Sequence, residues 1–229
     1  MSWDRIGHGR TLFSFFRSVI GVTPIISMGW ARFAFFYEFF GLVSMPLVEE
    51  YSNSSQKLLY ALQFAANAHK AQRRKYDGSP YINHLIEVAN LLASKENIAD
   101  SDVLIASLLH DILEDTPVSH EELTELFGRK VADLVSELTD DKTLTLQERR
   151  DKQIRELPAK SIEYKAIKLA DHCSNISAIP ESWEPERVKA YREWSWSIAE
   201  LCVDACTHLE KEYKKRYGET SRIQVRPSL

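Results

Sequence analysis

The chain has 229 residues, 44% of them hydrophobic and 27% charged, with a formal net charge of −4. That composition belongs to a globular protein with one sizeable core, and it excludes a global basic field for nucleic acid. Cys173, Cys202 and Cys206 are too few and too irregularly spaced for a disulfide scaffold, which indicates a reducing compartment and a cytoplasmic protein.

Residues 1–49 stand apart. Most of the ten phenylalanines lie here, but Arg17, Arg32 and Glu38 interrupt the apolar run and Thr23-Pro24 breaks it. A membrane span needs roughly 18 or more uninterrupted apolar residues, and no signal-peptide pattern is clear. Three readings stand: an aromatic helical extension, a surface anchor, or residues outside the functional unit, with Met45 as an alternative start. The reading taken forward is a dispensable hydrophobic extension, with no membrane partner expected.

From about residue 54 the apolar spacing is helical. Leu58, Leu59, Leu62, Phe64, Ala65 and Ala68 mark a helix over 56–72, which Asp77-Gly78 and Pro80 close. A second helix runs over 84–93 and a third over 102–114, with Asp100 or Ser101 as its N-cap. Thr116-Pro117 ends the third. Ser119 with Glu122 opens the next as a capping box, and Gly128 separates it from a helix to about Leu138. Residues 139–145 (TDDKTLT) form a loop. Helices follow near 146–156, 160–178 and 184–216, the last one open to being split. No run alternates long enough for a sheet. The expected fold is all-α: one helical bundle over 50–217 and a polar tail over 218–229.

Residues 107–116 read SLLHDILEDT, an apolar stretch carrying one histidine and three carboxylates with no basic residue among them. On a continuous helix, at about 100° per residue, Asp111, Glu114 and Asp115 fall within about 140° of His110. Leu108, Leu109, Ile112 and Leu113 occupy the other side. Like charges so placed repel, and a bound divalent cation would reverse that. Neutral imidazole is the commonest protein metal ligand. His110 and Asp111 cannot complete a site alone; His84, after a rigid turn, and Asp171, in an apolar helix, are the partners on offer. Two nitrogens and two oxygens suit an ion such as Mn²⁺. His69 and His172 are weaker candidates, His172 because it should point away from Asp171. Cys202 and Cys206, spaced one helical turn apart, read as small buried thiols.

The order His, His-Asp, Asp resembles the HD-domain metal phosphohydrolases. AQRRKYDGSPYINH, LLHDILEDT, FGRKV, LTDDKTL, KLAD followed by SN, and WEPERVKAYREW together resemble the hydrolase domain of the RelA/SpoT homologues, in particular the small single-domain alarmone hydrolases. The resemblance covers roughly residues 54–215. It implies an HD-domain bundle that uses one Mn²⁺ ion to remove the 3′-diphosphate of (p)ppGpp, giving GDP or GTP and pyrophosphate, without a synthetase half. It places the metal on His84, His110, Asp111 and Asp171, and acid/base or water-positioning roles on Glu114 and Asp115. It places Arg74, Lys75, Lys142, Asn175, Arg187 and Tyr191 around the nucleotide. Two departures stand out. Leu85 follows the first ligand histidine where the family has proline. His172-Cys173-Ser174 follows Asp171 where the family often has Arg or Lys, Leu, then His or Tyr.

In the residues themselves, Glu114 and Asp115 lie one turn beyond His110 and Asp111, within reach of a reacting water. The basic run at 70–75 could offset the substrate's negative charge, through Arg74 and Lys75 above all. Alternatives sharing the site are (p)ppApp hydrolysis and removal of the 2′-phosphate of NADPH. A non-catalytic alarmone sensor is the alternative of another class. The division of labour between Glu114 and Asp115, and the oligomeric state, stay open at this level.

Overall fold

The computed structural model describes residues 53–93 and 100–223. The extension read into residues 1–49 lies outside them. The described residues form α1 (Ser54–Ala68), α2 (Ile82–Ala93), α3 (Ser101–Leu109), α4 (Ile112–Asp115), α5 (His120–Phe127), α6 (Arg129–Leu138) and α7 (Leu146–Glu156). A 3₁₀ turn (Leu157–Ala159), α8 (Ile162–Ile176), α9 (Pro185–Glu200) and α10 (Thr207–Ile223) follow. The only β pairing among the described residues is an isolated bridge between Arg73 and Pro80. The all-α expectation holds. The last predicted helix is split at 201–206, and its second half runs past the boundary expected at 217.

Local signals explain most boundaries. The Asn53, Asp100, Ser119 and Ser161 side chains each accept a backbone N–H from the first turn of the helix they cap. Thr145 and Glu148 form a reciprocal capping box that opens α7. The turn between α1 and α2 is a tight reversal. Arg74 N–H donates to Ser79 O at 2.9 Å and Tyr81 N–H to Gln72 O at 3.1 Å. Gly78 sits at φ 71°, a left-handed conformation that a side chain would disfavour.

α8 is the axis of the bundle. It packs on α2, α9 and α10, and it is buried nearly all round: Tyr164, Ala166, Ile167, Leu169, Ala170, His172, Cys173, Ser174 and Ile176 are all enclosed. A helix enclosed on nearly every side belongs inside a domain, so a carboxylate in its enclosed part, as Asp171 is, must face a partner or a ligand. α1, α2, α3 and α6 close the other half of the core around Tyr60, Phe64, Leu85, Leu109, Ile112 and Val135. Cys202 and Cys206 do not share a helix, because α9 ends before them and α10 begins after them, so the one-turn spacing expected for them does not form. All three thiols are buried and none is in a disulfide, and burial pushes those of Cys173 and Cys202 up to about 12. No helix among the described residues is long and apolar enough to cross a membrane.

Candidate active site

The helix expected over 102–114 breaks where the chemistry is densest. α3 stops at Leu109, and Asp111 takes φ −100° and ψ 0° before α4 begins. On a straight helix the side chains of residues 110 and 111 would diverge by about 100°. With the break, His110 Nε2 lies 3.1 Å from Asp111 Oδ2. His84, in the first turn of α2, places Nε2 3.9 Å from the same oxygen and 3.2 Å from Asp171 Oδ1 of α8. His110 Nε2 is 3.8 Å from Asp171 Oδ1. Four side chains from three distant parts of the chain therefore converge.

Hydrogen bonding shows which atoms face inward. His110 Nδ1 lies 2.8 Å from the Ser107 carbonyl, which can only accept, so Nδ1 carries a proton and Nε2 is the nitrogen turned towards the carboxylates. That Nε2 is buried and has no hydrogen bond of acceptable geometry. Burial disfavours a charged His110, but the negative charges of Asp111 and Asp171 lift it to about 9. Burial likewise works against both carboxylates, and the facing imidazoles hold them well below the usual carboxylate range. The pocket demands positive charge. An orphaned buried nitrogen beside a second imidazole and two carboxylates fits a divalent cation of hard or borderline character. His84, His110 and Asp111 alone bring ligand atoms within 4.8 Å of one another.

Around this cluster stand Tyr81 and Lys168, which motif spacing did not single out, and Asn175, which the resemblance placed at the nucleotide. The Tyr81 hydroxyl donates to Asp111 Oδ2 at 2.5 Å; burial and the Asp111 charge push its ionisation far upward. The Asn175 amide donates to Asp171 Oδ1 at 2.6 Å. Burial works against the charge on Lys168, but Asp171, Tyr164, Asp140 and Asp111 raise its pKa and keep it protonated.

The acidic stretch is not free of cations in three dimensions. Lys142, from the loop before α7, bonds Asp115 Oδ1 at 2.9 Å and the Glu114 carbonyl at 2.6 Å. Arg149 of α7 lies 3.9 Å from Glu114 Oε1. Gln72 donates to the other Asp115 oxygen at 2.8 Å. Glu114 is only lightly held, by the Asp140 N–H at 3.4 Å, and burial together with the Asp111 charge raises its pKa.

The expected nucleotide residues divide into two groups. Arg74 is half-buried against the cluster, its guanidinium 3.2 Å from Ser174 Oγ and 3.5 Å from Asn175 Oδ1, while Lys75 is exposed on the turn. Arg187 stacks on Trp183 at 3.9 Å. Tyr191 touches Trp183 and Trp194 edge-on or tilted, and Arg150 covers Trp194 at 4.6 Å. An aromatic and guanidinium wall of this kind can stack on a base and meet phosphate.

Comparison with known proteins agrees with this geometry. The HD-domain family pattern matches residues 61–198. Guanosine-3′,5′-bis(diphosphate) 3′-pyrophosphohydrolase MESH1 of Mus musculus is 40% identical over 172 residues, 73% of this chain and 96% of that protein. The Drosophila melanogaster protein of the same name is 42% identical over 161 residues, covering 68% and 90%. A solved structure described as a metazoan orthologue of SpoT that hydrolyses ppGpp has 38% identity and a TM-score of 0.67, over 71% of this chain and 94% of that one. A family pattern spanning more than half the chain and relatives covered almost end to end lead to one conclusion: the chain belongs to the HD-domain family, in the group of the MESH1 proteins.

Proposed function

We propose that this protein is a metal-dependent hydrolase of (p)ppGpp that releases the 3′-diphosphate as pyrophosphate and leaves GDP or GTP. The observation that carries the reading is the convergence of His84, His110, Asp111 and Asp171 with a bare, buried His110 Nε2. The substrate class follows the names of the relatives. These four residues would hold one divalent ion, taken as Mn²⁺ from the mixed nitrogen and oxygen donors. When bound, such an ion polarises a phosphoryl oxygen and lowers the pKa of water towards neutrality.

The remaining chemistry belongs to the chain. Water adds to the phosphorus attached to O3′, the O3′–P bond breaks, and O3′ leaves with a proton. Glu114 is the proton-handling group, because burial and the Asp111 charge raise its pKa towards the working range. Asp115, clamped by Lys142 and Gln72, orients water and fixes Lys142 beside the phosphates. Arg74 and Lys75 meet the diphosphate groups, and Arg187 and Tyr191 flank the nucleotide. Asn175 has both amide atoms engaged within the protein, so it positions Asp171 and Arg74, a narrower role than direct nucleotide contact. Residues 50–217 form the catalytic unit and residues 1–49 a dispensable extension. Three buried cysteines with no disulfide among them support a cytoplasmic setting.

The test is release of pyrophosphate from ppGpp and ppApp, and of phosphate from NADPH, by Mn²⁺-loaded protein. The expected result is cleavage of ppGpp, lost on chelation and restored by Mn²⁺. Glu114→Gln lowers kcat by about 10²–10⁴-fold, the usual range for a general acid or base, with Mn²⁺ still bound. Mn²⁺-loaded protein that binds ppGpp and releases nothing would replace this reading with that of a sensor.

A further inference from the structure

His110 takes its tautomer from the backbone, through the Ser107 carbonyl. His84 does not. Its Nδ1 lies 2.9 Å from the Ser174 hydroxyl, inside the core. That hydroxyl has one proton, and it goes to Glu87 Oε2 at 2.6 Å, since a carboxylate can only accept. Arg216 Nη1 of α10 lies 2.6 Å from Glu87 Oε1 and also donates to the Cys173 carbonyl at 3.1 Å. Arg74 lies 3.6 Å from Glu87 Oε2. Two guanidiniums thus keep Glu87 ionised and in place, and Ser174 has only lone pairs left for His84. His84 Nδ1 must carry the proton, and its Nε2 lone pair faces Asp111 and Asp171.

We infer that Ser174 and Glu87 are positioning residues for the metal centre: together with Arg216 they form a side-chain relay that fixes His84 in its ligating tautomer. The inference rests on the reading that His84, His110, Asp111 and Asp171 hold a divalent ion. Glu87 is three residues beyond His84 on α2, hence on the same face. The relay draws on α2, α8 and α10, which makes the last helix part of the support for the site. Outer partners that orient a ligand histidine usually matter by about 10–100-fold in metal affinity or activity.

The test uses the full chain and reads Mn²⁺ binding by equilibrium dialysis, without nucleotide. Ser174→Ala weakens Mn²⁺ by about 10–100-fold. Glu87→Ala, at a half-exposed position less prone to misfolding, weakens it in the same direction, because the Ser174 proton is then free to turn towards His84. Ser177→Ala, at an exposed residue of the same helix end whose hydroxyl donates to the Cys173 carbonyl at 3.3 Å and not to His84 or Glu87, leaves the affinity unchanged. Nitrogen-15 NMR of the metal-free protein at alkaline pH shows His84 protonated at Nδ1 in wild type and a mixture of tautomers in Ser174→Ala. Folded Ser174→Ala with wild-type affinity, or wild-type His84 protonated at Nε2, overturns the relay. Protein that binds Mn²⁺ through the relay but leaves ppGpp intact would remove the proposed activity and leave this inference standing.

Discussion

Asp171 and His172 are neighbours on α8, yet they look into opposite worlds. Asp171 faces His84 and His110, whose inward nitrogens meet carboxylates. His172 faces Ser195 Oγ at 2.8 Å, with Ser195 in turn 2.9 Å from the Tyr213 hydroxyl, and stacks on Trp194 at 5.0 Å. His110 is raised to about 9 by the carboxylates that overcome its burial. His172 is pushed down to about 4, because burial dominates. Both are fully enclosed imidazoles, so burial does not distinguish a ligand from a core residue. What distinguishes them is what one ring nitrogen meets: His172 Nδ1 meets the neutral Ser195 hydroxyl, whereas His110 Nε2 faces Asp111 and Asp171 with no hydrogen bond of its own.

The largest expected effect tests that division directly. His110→Ala removes a donor and leaves two buried aspartates facing each other. Mn²⁺ affinity and ppGpp turnover should fall by more than the roughly 100-fold that marks the upper range for outer-shell partners. His172→Phe keeps the ring against Trp194 and should leave both quantities near wild type. Mn²⁺ titration and initial rates on the two variants decide it. Equal losses in both would erase the distinction between the two faces of α8.

Much of this arrangement was legible in the chain. The order of the four cluster residues, the loop at 139–145 and the α7 limits at Leu146 and Glu156 follow from motif spacing, turn residues and periodicity. The break at His110 and Asp111 was not legible, because SLLHDIL reads as good helix throughout. It accompanies a Tyr81 hydroxyl arriving from another part of the chain, and tertiary contacts routinely override local propensity. The cations beside Glu114 and Asp115 were hidden for the same reason: Lys142 and Arg149 reach them from the far side of two helices. Ser174 stood out only as a departure from the family pattern, and nothing in its spacing named a role for it. Its importance exists only beside His84 and Glu87. Tyr81 did carry one, as the residue closing a proline turn three positions before a candidate ligand. The Thr145 and Glu148 capping box could also have been read directly from its spacing.

The next effect in size concerns acid. His172 has a folded-state value near 4 against an ordinary 6.5. As pH falls through 6.5 the unfolded chain takes up a proton that the native core refuses, so unfolding gains protons and stability drops until about pH 4. The loss attributable to this one group is about 3 kcal/mol, from 1.36 kcal/mol per pKa unit. Urea denaturation of chelated protein between those limits should show His172→Phe losing less stability than wild type by roughly that amount. Parallel curves would mean that His172 already charges within the native core.

The smallest effect is the most discriminating, because it compares two serines of similar burial. Ser195→Ala strands His172 Nδ1 and the Tyr213 hydroxyl inside the protein. Leaving buried polar groups unpaired costs about 1–3 kcal/mol of stability. Neither stranded group faces a carboxylate of the cluster, so Mn²⁺ affinity and turnover should hold. Ser174→Ala, about one helical turn from Asp171 on the cluster side, should show the reverse weighting, because its hydroxyl meets His84, a proposed metal ligand, with Glu87 beyond it. Denaturation midpoints and Mn²⁺ affinities measured on both variants give a two-by-two comparison. If Ser195→Ala lowered metal affinity as much as Ser174→Ala, the hydroxyl, imidazole and aromatic side of α8 would have to be counted as part of the catalytic centre, and the contrast between a satisfied and a bare imidazole would lose its meaning.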